Sequence, residues 1–141
     1  MDTARITEIL TDPVTLDLVE RQPIMQIAYT AADGSPRAVP IGYLLREGKF
    51  LFFTIPSSDK VAALHHDPRI ALTIDVYPPP CCLLVRGTAE LHETGGEAIN
   101  PRFPNFAPQF FRIRPTRIVA WGIDEQAMDA KGFQMNARSV R

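Results

Sequence analysis

Cysteine is scarce in this sequence, and the little there is does not suit a disulfide framework or a metal centre. The only two cysteines, Cys81 and Cys82, are adjacent. An ordinary disulfide needs Cα atoms about 4.4–6.8 Å apart with converging side chains, and two thiols are too few for a zinc site. We therefore interpret both as small residues of a strand, with a vicinal redox pair as the less favoured alternative.

A surplus of charge and a long hydrophobic run are also absent. Fifteen basic and 16 acidic residues leave a formal net charge of −1, and 45% of the 141 residues are hydrophobic. This balance argues against general nucleic-acid binding and against disorder, and the length suits a single domain over residues 1–141. No run approaches the ~20 apolar residues that span a bilayer. Charged residues interrupt Met1–Leu10, so we expect no targeting or membrane segment and a cytoplasmic location.

The usual constellations of hydrolytic and metal enzymes are missing too. No Ser-His-Asp, Cys-His or paired-carboxylate arrangement stands out. Of the three histidines, His65 and His66 fall at a predicted helix end, and His92 has no partner at metal-ligand spacing. We interpret all three as surface residues. Catalytic residues stay unassigned, and no metal site is predicted.

What the sequence has instead is a succession of short strands bounded by turn residues. Residues 1–22 read as helical, with Ile6, Ile9 and Leu10 on one face and a fresh start at Asp12-Pro13. The predicted strands are Ile24–Thr30, Arg37–Leu45, Lys49–Thr54, Arg69–Val76, Cys81–Leu91, Phe110–Arg114 and Thr116–Ile123. The first three are expected to form a meander. This pattern is typical of a mainly β fold, an antiparallel barrel of six to seven strands with one short central helix.

The sequence also indicates a local irregularity in one strand, two segments without regular structure and a cluster of aromatic residues. Gly87 marks a bend, a bulge or a close approach within the long strand. Residues 92–108 read as an ordered loop, and residues 124–141 as a polar tail with a loosely held end. Four aromatic residues are expected to pack in the barrel or at an interface: Phe103, Phe106, Phe110 and Phe111.

The central helix is the candidate site. Ser57 or Ser58 is suited to cap it, Val61 and Leu64 give it a buried side, and Pro68 stops it. A helix start offers unsatisfied N–H groups and a partial positive charge, and here two hydroxyls and Lys60 converge on it, which suits a phosphate. The alternative is an ordinary capped helix with a solvated lysine.

Four segments, taken in order, resemble a known family. They are DGSPRAVPI at 33–41, FFTIPSSDKVAAL at 52–64, DPRIALTI at 67–74 and LVRGTAEL at 84–91. Their order and spacing resemble the pyridoxamine 5′-phosphate oxidase-like split-barrel family, which includes flavin-dependent and deazaflavin (F420) dependent oxidoreductases. The resemblance covers Ile24 to Ile123.

The resemblance implies a split β-barrel that forms a homodimer, with two cofactor sites at the subunit interface. The implied cofactor is FMN, with F420 as the alternative, and the implied activity is hydride transfer to or from a small organic substrate. Because the cofactor ring carries that chemistry, no protein acid or base is required. The implied cofactor-binding residues are Arg37, Val39, Pro40 and Ile41 along the ring, Thr54, Ser57, Ser58 and Lys60 at the phosphate, and Trp121 against the partner's flavin. For Trp121, a place in the core is the alternative.

Two departures from the family pattern bear on function. Asp59 stands where the true pyridoxamine phosphate oxidases carry arginine, which weakens the attraction for phosphate and argues against vitamin B6 oxidase activity. The segment 92–109 is shorter than in relatives, so the pocket rim differs. Both departures favour the alternative of a non-catalytic flavin-binding protein or a cofactor-free dimer.

Three arginines near the end of the predicted barrel are a further candidate. Arg112, Arg114 and Arg117 are expected to form a solvated strand face, or else to meet an anionic substrate or a polyglutamate-like tail.

Overall fold

One antiparallel sheet dominates the computed structural model, which describes residues 2–78, 80–99, 109–123 and 138–140. Its strands are β1 (Ile24–Thr30), β2 (Pro36–Gly42), β3 (Leu44–Arg46), β4 (Lys49–Phe53), β5 (Arg69–Val76), β6 (Cys81–His92), β7 (Phe110–Trp121) and β8 (Arg138–Val140). The helices are α1 (Thr3–Thr11), α2 (Pro13–Arg21), α3 (Asp59–His66) and the single turn α4 (Gly96–Ile99). No helix in the described residues is both long enough and apolar enough to cross a membrane.

The order of the strands makes the sheet curl into a split barrel. Neighbouring strands run β2-β1-β5-β6-β7-β4-β3, and β8 adds to β7. β2 and β3 therefore lie at opposite ends of the order, although only Tyr43 separates them in the chain. Because one residue links the two ends, the sheet must bend until they come close together. The predicted antiparallel split-barrel fold is thus confirmed.

The predicted three-strand meander is wrong. The hairpins β1-β2 and β3-β4 form, but the expected continuous strand Arg37–Leu45 breaks at Tyr43. The hydroxyl of Tyr43 donates a hydrogen bond to the carbonyl oxygen of Gln22 at 2.8 Å, and burial raises the pKa of this phenol. Tyr43 is therefore held at a corner, from which β2 joins β1 and β3 joins β4.

The core lies inside the curl and beneath the first two helices. β1 alternates between exposed and buried residues, so Met25 and Ile27 point inward. Burying a side chain of this size contributes about 1.5–3 kcal/mol. Phe52 and Phe111 stack at 5.0 Å between ring centroids, while α1 adds Ile9 to the same core. Asp12 caps α2 by accepting from the N–H of Val14, as the sequence predicts.

A β-bulge lets one long strand form where two are predicted. Phe110–Arg114 and Thr116–Ile123 belong to a single strand, β7, and Pro115 does not break it. The register with β6 shifts between Arg86 and Gly87, and Gly87 then faces Pro115. The missing N–H of proline falls where the ladder is already interrupted. A Cβ on Gly87 would overlap the carbonyl oxygen of Arg114, which is the close approach that the sequence anticipates.

The predicted loop and the predicted tail each contain secondary structure that the sequence pattern does not indicate. β6 runs on to His92, and Gly96–Ile99 is helical rather than loop. Arg138–Val140 pairs with Ile118–Ala120 instead of forming a loosely held end. The remaining positions of these two segments, 100–108, 124–137 and 141, lie outside the described residues, as do Phe103 and Phe106 of the expected aromatic cluster. Phe110 and Phe111 of that cluster are buried, as predicted.

Candidate functional site

The start of α3 is built by a short connection from the end of β4. Ser58 is the capping residue: its Oγ accepts a hydrogen bond from the backbone N–H of Lys60 at 3.3 Å, whereas Ser57 is exposed and takes no part. The helix is anchored by Leu64, which is buried, and by Val61, which is half-buried. This packing keeps the first turn of α3 directed toward the end of β4.

A pocket of about 300 Å³ opens at this helix start. It is lined by Phe53, Thr54, Ile55, Ser58, Asp59 and Lys60. Thr54 is only 6% exposed, and its hydroxyl donates to the carbonyl oxygen of Ile55 at 3.3 Å. The ammonium Nζ of Lys60 lies 3.5 Å from the Oγ of Ser58. Three of the predicted phosphate-binding residues therefore meet in one pocket, with hydroxyl, ammonium and helix N–H donors.

Asp59 changes the charge of this pocket. Its exposed carboxylate offsets the positive charge of Lys60, so the lining residues carry no net formal charge. The hydroxyl of Tyr29 donates a hydrogen bond to Oδ1 of Asp59 at 3.5 Å. Burial raises the pKa of Tyr29, the negative charge of Asp59 raises it further, and Arg37 lowers it. Tyr29 therefore stays protonated at neutral pH.

Sequence reasoning missed Tyr29 as a site residue. Tyr29 also lines a second, larger cleft of about 620 Å³, together with Arg37 and residues of β5, β6 and β7. The pocket and the cleft therefore adjoin at the contact between Tyr29 and Asp59. The alternation of β1 places Tyr29 on the inward side, but only the position of α3 brings Asp59 to its hydroxyl. Arg37 lies in the larger cleft, and it is not part of the pocket at the start of α3.

The strand predicted to lie along a cofactor ring is at an edge of the sheet. Among the described strands β2 pairs only with β1, so within this part of the chain its other edge offers backbone groups that make no ladder hydrogen bonds. Val39 and Ile41 are half-buried and pack against the core, whereas Pro40 is exposed on the opposite side. On the side of this strand that faces the core, the apolar surface therefore comes from Val39 and Ile41. Of its backbone groups, Pro40 has only the carbonyl oxygen to offer as a hydrogen-bonding partner.

Trp121 lies apart from both cavities. It pairs with Cys82 across β6 and β7, is half-buried and lines neither the pocket nor the larger cleft. Its indole Nε1 is buried and has no hydrogen-bond partner in the described part of the chain. The structure therefore does not bring Trp121 together with Thr54, Ser58 and Lys60 within one chain.

The histidines and cysteines fit structural roles. His65 and His66 are exposed at the end of α3, as predicted. The predicted surface position of His92 is wrong: this residue is half-buried and stacks on Phe110 at 4.9 Å between ring centroids. Within the described ranges, no group of histidine, cysteine or acidic residues is arranged to hold a metal ion.

Both cysteines are buried, free strand residues, which confirms their predicted structural role. Cys81 contributes to the hydrophobic core, and Cys82 follows it on β6. Burial raises the pKa of Cys81, and burial together with the nearby Asp75 raises the pKa of Cys82 to about 11. Neither thiol is therefore poised for nucleophilic or redox chemistry.

Comparison with known proteins adds independent information about the family and the fold. A family model described as pyridoxamine 5′-phosphate oxidase matches residues 11–134. A 5a,11a-dehydrotetracycline/5a,11a-dehydrooxytetracycline reductase from Streptomyces rimosus subsp. rimosus is 30% identical over 108 residues, which cover 70% of this chain and 74% of that protein.

Two solved structures show how widely the same fold is used. An F420 reductase superposes with a TM-score of 0.61 at 21% identity, over 72% of this chain and 93% of that one. The heme storage protein HutZ from Vibrio cholerae has a TM-score of 0.61 at 13% identity, over 74% of this chain and 89% of that one. At these identities the likeness extends to the fold alone, so the cofactor has to be argued from the residues of this chain.

Proposed function

The chain belongs to the pyridoxamine 5′-phosphate oxidase family, and from this premise we propose that it is an FMN-dependent oxidoreductase acting on a small organic substrate. F420 is the alternative cofactor. The observation that carries the proposal is the meeting of Thr54, Ser58 and Lys60 in one pocket at the start of α3. A flavin or deazaflavin supplies the hydride-transfer chemistry when it is bound. The task of this chain is then to bind it, orient it and exclude water.

The proposed role of the pocket is to hold the phosphate of the cofactor. Lys60 would give a charge-assisted hydrogen bond, while Ser58 and the N–H groups of the first turn of α3 would give neutral ones. The remainder of the cofactor would extend past Tyr29 toward Arg37 and the free edge of β2. Val39 and Ile41 would then supply the apolar wall. Ser57 is exposed and lines neither cavity, so its proposed contribution is confined to the rim.

Asp59 is the specific observation that favours the F420 alternative. The phosphate of FMN is a monoester that carries close to two negative charges at neutral pH, whereas F420 carries a phosphodiester with one. A pocket in which Asp59 offsets Lys60 attracts a dianion less strongly than a pocket with a second cation does. This charge balance also supports the expectation that the chain is not a vitamin B6 oxidase.

The reaction direction that we propose is reduction. The relative from Streptomyces rimosus is named as a reductase of dehydrotetracyclines. By similarity, the proposed substrate class is an unsaturated organic molecule that accepts a hydride. No acid or base of this chain is assigned to the reaction.

We also propose a homodimer with its cofactor sites between the two copies. The side of the sheet that faces away from the core, here called the outer face, carries half-buried Leu84, Val119 and Trp121, and Ile24 on β1 is 43% exposed. Such apolar surface favours a partner. Because Trp121 lines neither cavity of its own chain, a contact between Trp121 and a cofactor requires a second copy.

A parallel titration tests the cofactor proposal. Purified protein is titrated separately with FMN and with F420, and binding is followed by cofactor fluorescence. We expect saturable binding of one of them, and for FMN a yellow protein whose absorbance bleaches with a reductant. Binding of neither cofactor would overturn the proposal in favour of the cofactor-free alternative.

A turnover measurement then separates an enzyme from a carrier. The protein loaded with reduced cofactor is mixed with unsaturated acceptors, and reoxidation of the cofactor is followed with and without protein. Acceleration by the protein supports an oxidoreductase. Tight binding without any acceleration supports the non-catalytic flavin-binding alternative. The cytoplasmic location and the single domain over residues 1–141 stay predictions.

A further inference from the structure

One hydrogen bond between side chains links the first turn of α3 to β1. The hydroxyl of Tyr29 donates to Oδ1 of Asp59 at 3.5 Å, across 30 positions of the chain. The Tyr29 ring belongs to the hydrophobic core, and α3 packs against β1. Burial and the charge of Asp59 raise the pKa of Tyr29, so its hydroxyl stays protonated at neutral pH and available to donate. A buried phenol thus restrains an exposed carboxylate.

The two charged side chains of the pocket are held apart. Asp59 and Lys60 are adjacent on the helix, where neighbouring side chains point about 100° apart and do not face each other. The Nζ of Lys60 lies 3.5 Å from Oγ of Ser58, while the carboxylate of Asp59 is held by Tyr29. Within the described residues, no ion pair joins Asp59 to Lys60. An anion in the pocket would therefore meet a cation and a separately fixed carboxylate.

This separation affects which phosphate groups the pocket attracts. A phosphate monoester carries close to two negative charges at neutral pH, whereas a phosphodiester carries one. Lys60 by itself attracts the dianion more strongly than the monoanion, because the Coulomb energy grows with the charge. A carboxylate fixed at the same pocket repels the dianion more strongly by the same rule, and so offsets that preference. The position of the Asp59 carboxylate therefore determines how far the pocket favours a monoester.

We propose that Tyr29 is a specificity-determining residue that fixes the Asp59 carboxylate at the pocket and thereby suits the pocket to a phosphodiester rather than a phosphate monoester. Tyr29 acts through Asp59, so it is a positioning residue. The inference rests on the proposed phosphate pocket at the start of α3, and it adds the residue pair that selects the class of phosphate bound there.

The test compares two cofactors in four proteins. The Kd values of FMN and F420 are measured by cofactor fluorescence for the wild type, Tyr29→Phe, Asp59→Asn and the double variant. A cofactor that binds too weakly for direct titration is measured by competition against the other. The quantity compared is the ratio of the two Kd values within each protein, so the differences between the two rings cancel when variants are compared.

The expected shifts follow from the freedom of the carboxylate. Without the Tyr29 hydroxyl, the exposed Asp59 carboxylate can turn into water, and the Kd ratio is expected to shift toward FMN by about threefold to tenfold. Asp59→Asn removes the charge altogether and is expected to shift the ratio in the same direction by at least as much. In the double variant, Tyr29→Phe is expected to add nothing, because no carboxylate remains to be positioned.

Tyr43→Phe is the matched control. Tyr43 also uses its hydroxyl as a donor, to the carbonyl oxygen of Gln22, and it lines neither the pocket nor the larger cleft. This substitution is expected to leave the Kd ratio unchanged, even where urea denaturation shows a loss of stability. Equal shifts of the ratio in Tyr43→Phe and Tyr29→Phe would reveal a general effect of losing a tyrosine hydroxyl and would overturn the proposal.

The outcomes separate this inference from the proposed function. If the wild type binds neither FMN nor F420, the proposed phosphate pocket is wrong and the inference fails with it. If the wild type binds cofactor but Tyr29→Phe leaves the Kd ratio unchanged, the pocket stands and Tyr29 does not set its specificity. A shift from Tyr29→Phe that persists in full in the Asp59→Asn background would show that Tyr29 acts without Asp59, which also contradicts the inference.

Discussion

At the scale of single residues, a substitution of Lys60 distinguishes a cofactor-binding pocket from an ordinary helix start with a solvated lysine. If the cofactor phosphate rests in the pocket, Lys60→Ala removes one charge-assisted hydrogen bond, and cofactor affinity is expected to fall by about tenfold to a hundredfold. Titration by fluorescence measures the effect. Lys49→Ala, which removes a lysine from β4 outside the pocket, is the matched control and is expected to leave affinity unchanged.

Asp59 provides the opposite change at the neighbouring position. Asp59→Arg replaces the carboxylate that offsets Lys60, so binding of a phosphate-bearing cofactor is expected to tighten, more for the dianionic FMN than for F420. If neither Lys60→Ala nor Asp59→Arg alters the affinity for FMN or F420, the cofactor site is not at the start of α3.

Gly87 illustrates a residue whose role is steric. An added Cβ overlaps the carbonyl oxygen of Arg114, which belongs to the backbone and cannot move aside. Gly87→Ala is therefore expected to lower the free energy of unfolding by about 1–3 kcal/mol, measured by urea denaturation. Gly42→Ala is the control, because the nearest atom to a Cβ there lies 4.0 Å away. Equal effects of the two substitutions would show that the bulge adapts.

At the scale of elements, α3 shows how one cap sets the geometry of the site. Ser58 caps the helix and Ser57 does not, although the sequence allows either. Ser58→Ala is expected to lower the free energy of unfolding by about 0.5–2 kcal/mol and to weaken cofactor binding less than Lys60→Ala, because the backbone N–H groups remain. Ser57→Ala is expected to change neither quantity. A larger loss of stability from Ser57→Ala would mean that the helix begins one residue earlier.

The local sequence predicts the positions of the strands better than it predicts which strands pair with each other. The alternation along β1 and β5 and the proline-rich stop after β5 identify these strands from local sequence. Nothing local shows that β2 and β3 diverge at Tyr43, where the Tyr43 hydroxyl contacts the carbonyl oxygen of Gln22, a residue 21 positions away in the chain. In the same way, Pro115 reads as a strand end until Gly87 is placed opposite it.

At the scale of the whole molecule, the outer face predicts self-association. We expect a mass of two chains by light scattering at micromolar protein concentration. Leu84→Arg places a charge among the half-buried residues of the outer face and is expected to give monomers without disturbing the core. Leu16→Arg, at an exposed leucine of α2, is the control and is expected to remain dimeric. A monomeric wild type would contradict the proposed interface.

The sequence by itself determined the class of fold, the start and end of most elements and the family. Hydrophobic alternation, turn residues and helix caps are local properties, and they sufficed for β1, for β5 and for the two first helices with Asp12 between them. The same local signals located the start of α3 and three of the residues that meet there.

Only the tertiary structure decided which of these elements lie side by side. Strand order, the corner at Tyr43 and the bulge at Gly87 depend on contacts between residues far apart in the chain. Tyr29 joins the pocket to the larger cleft only because α3 brings Asp59 beside it. The charge balance of a site depends on which residues are neighbours in space. The order of residues along a single strand does not show which residues these are.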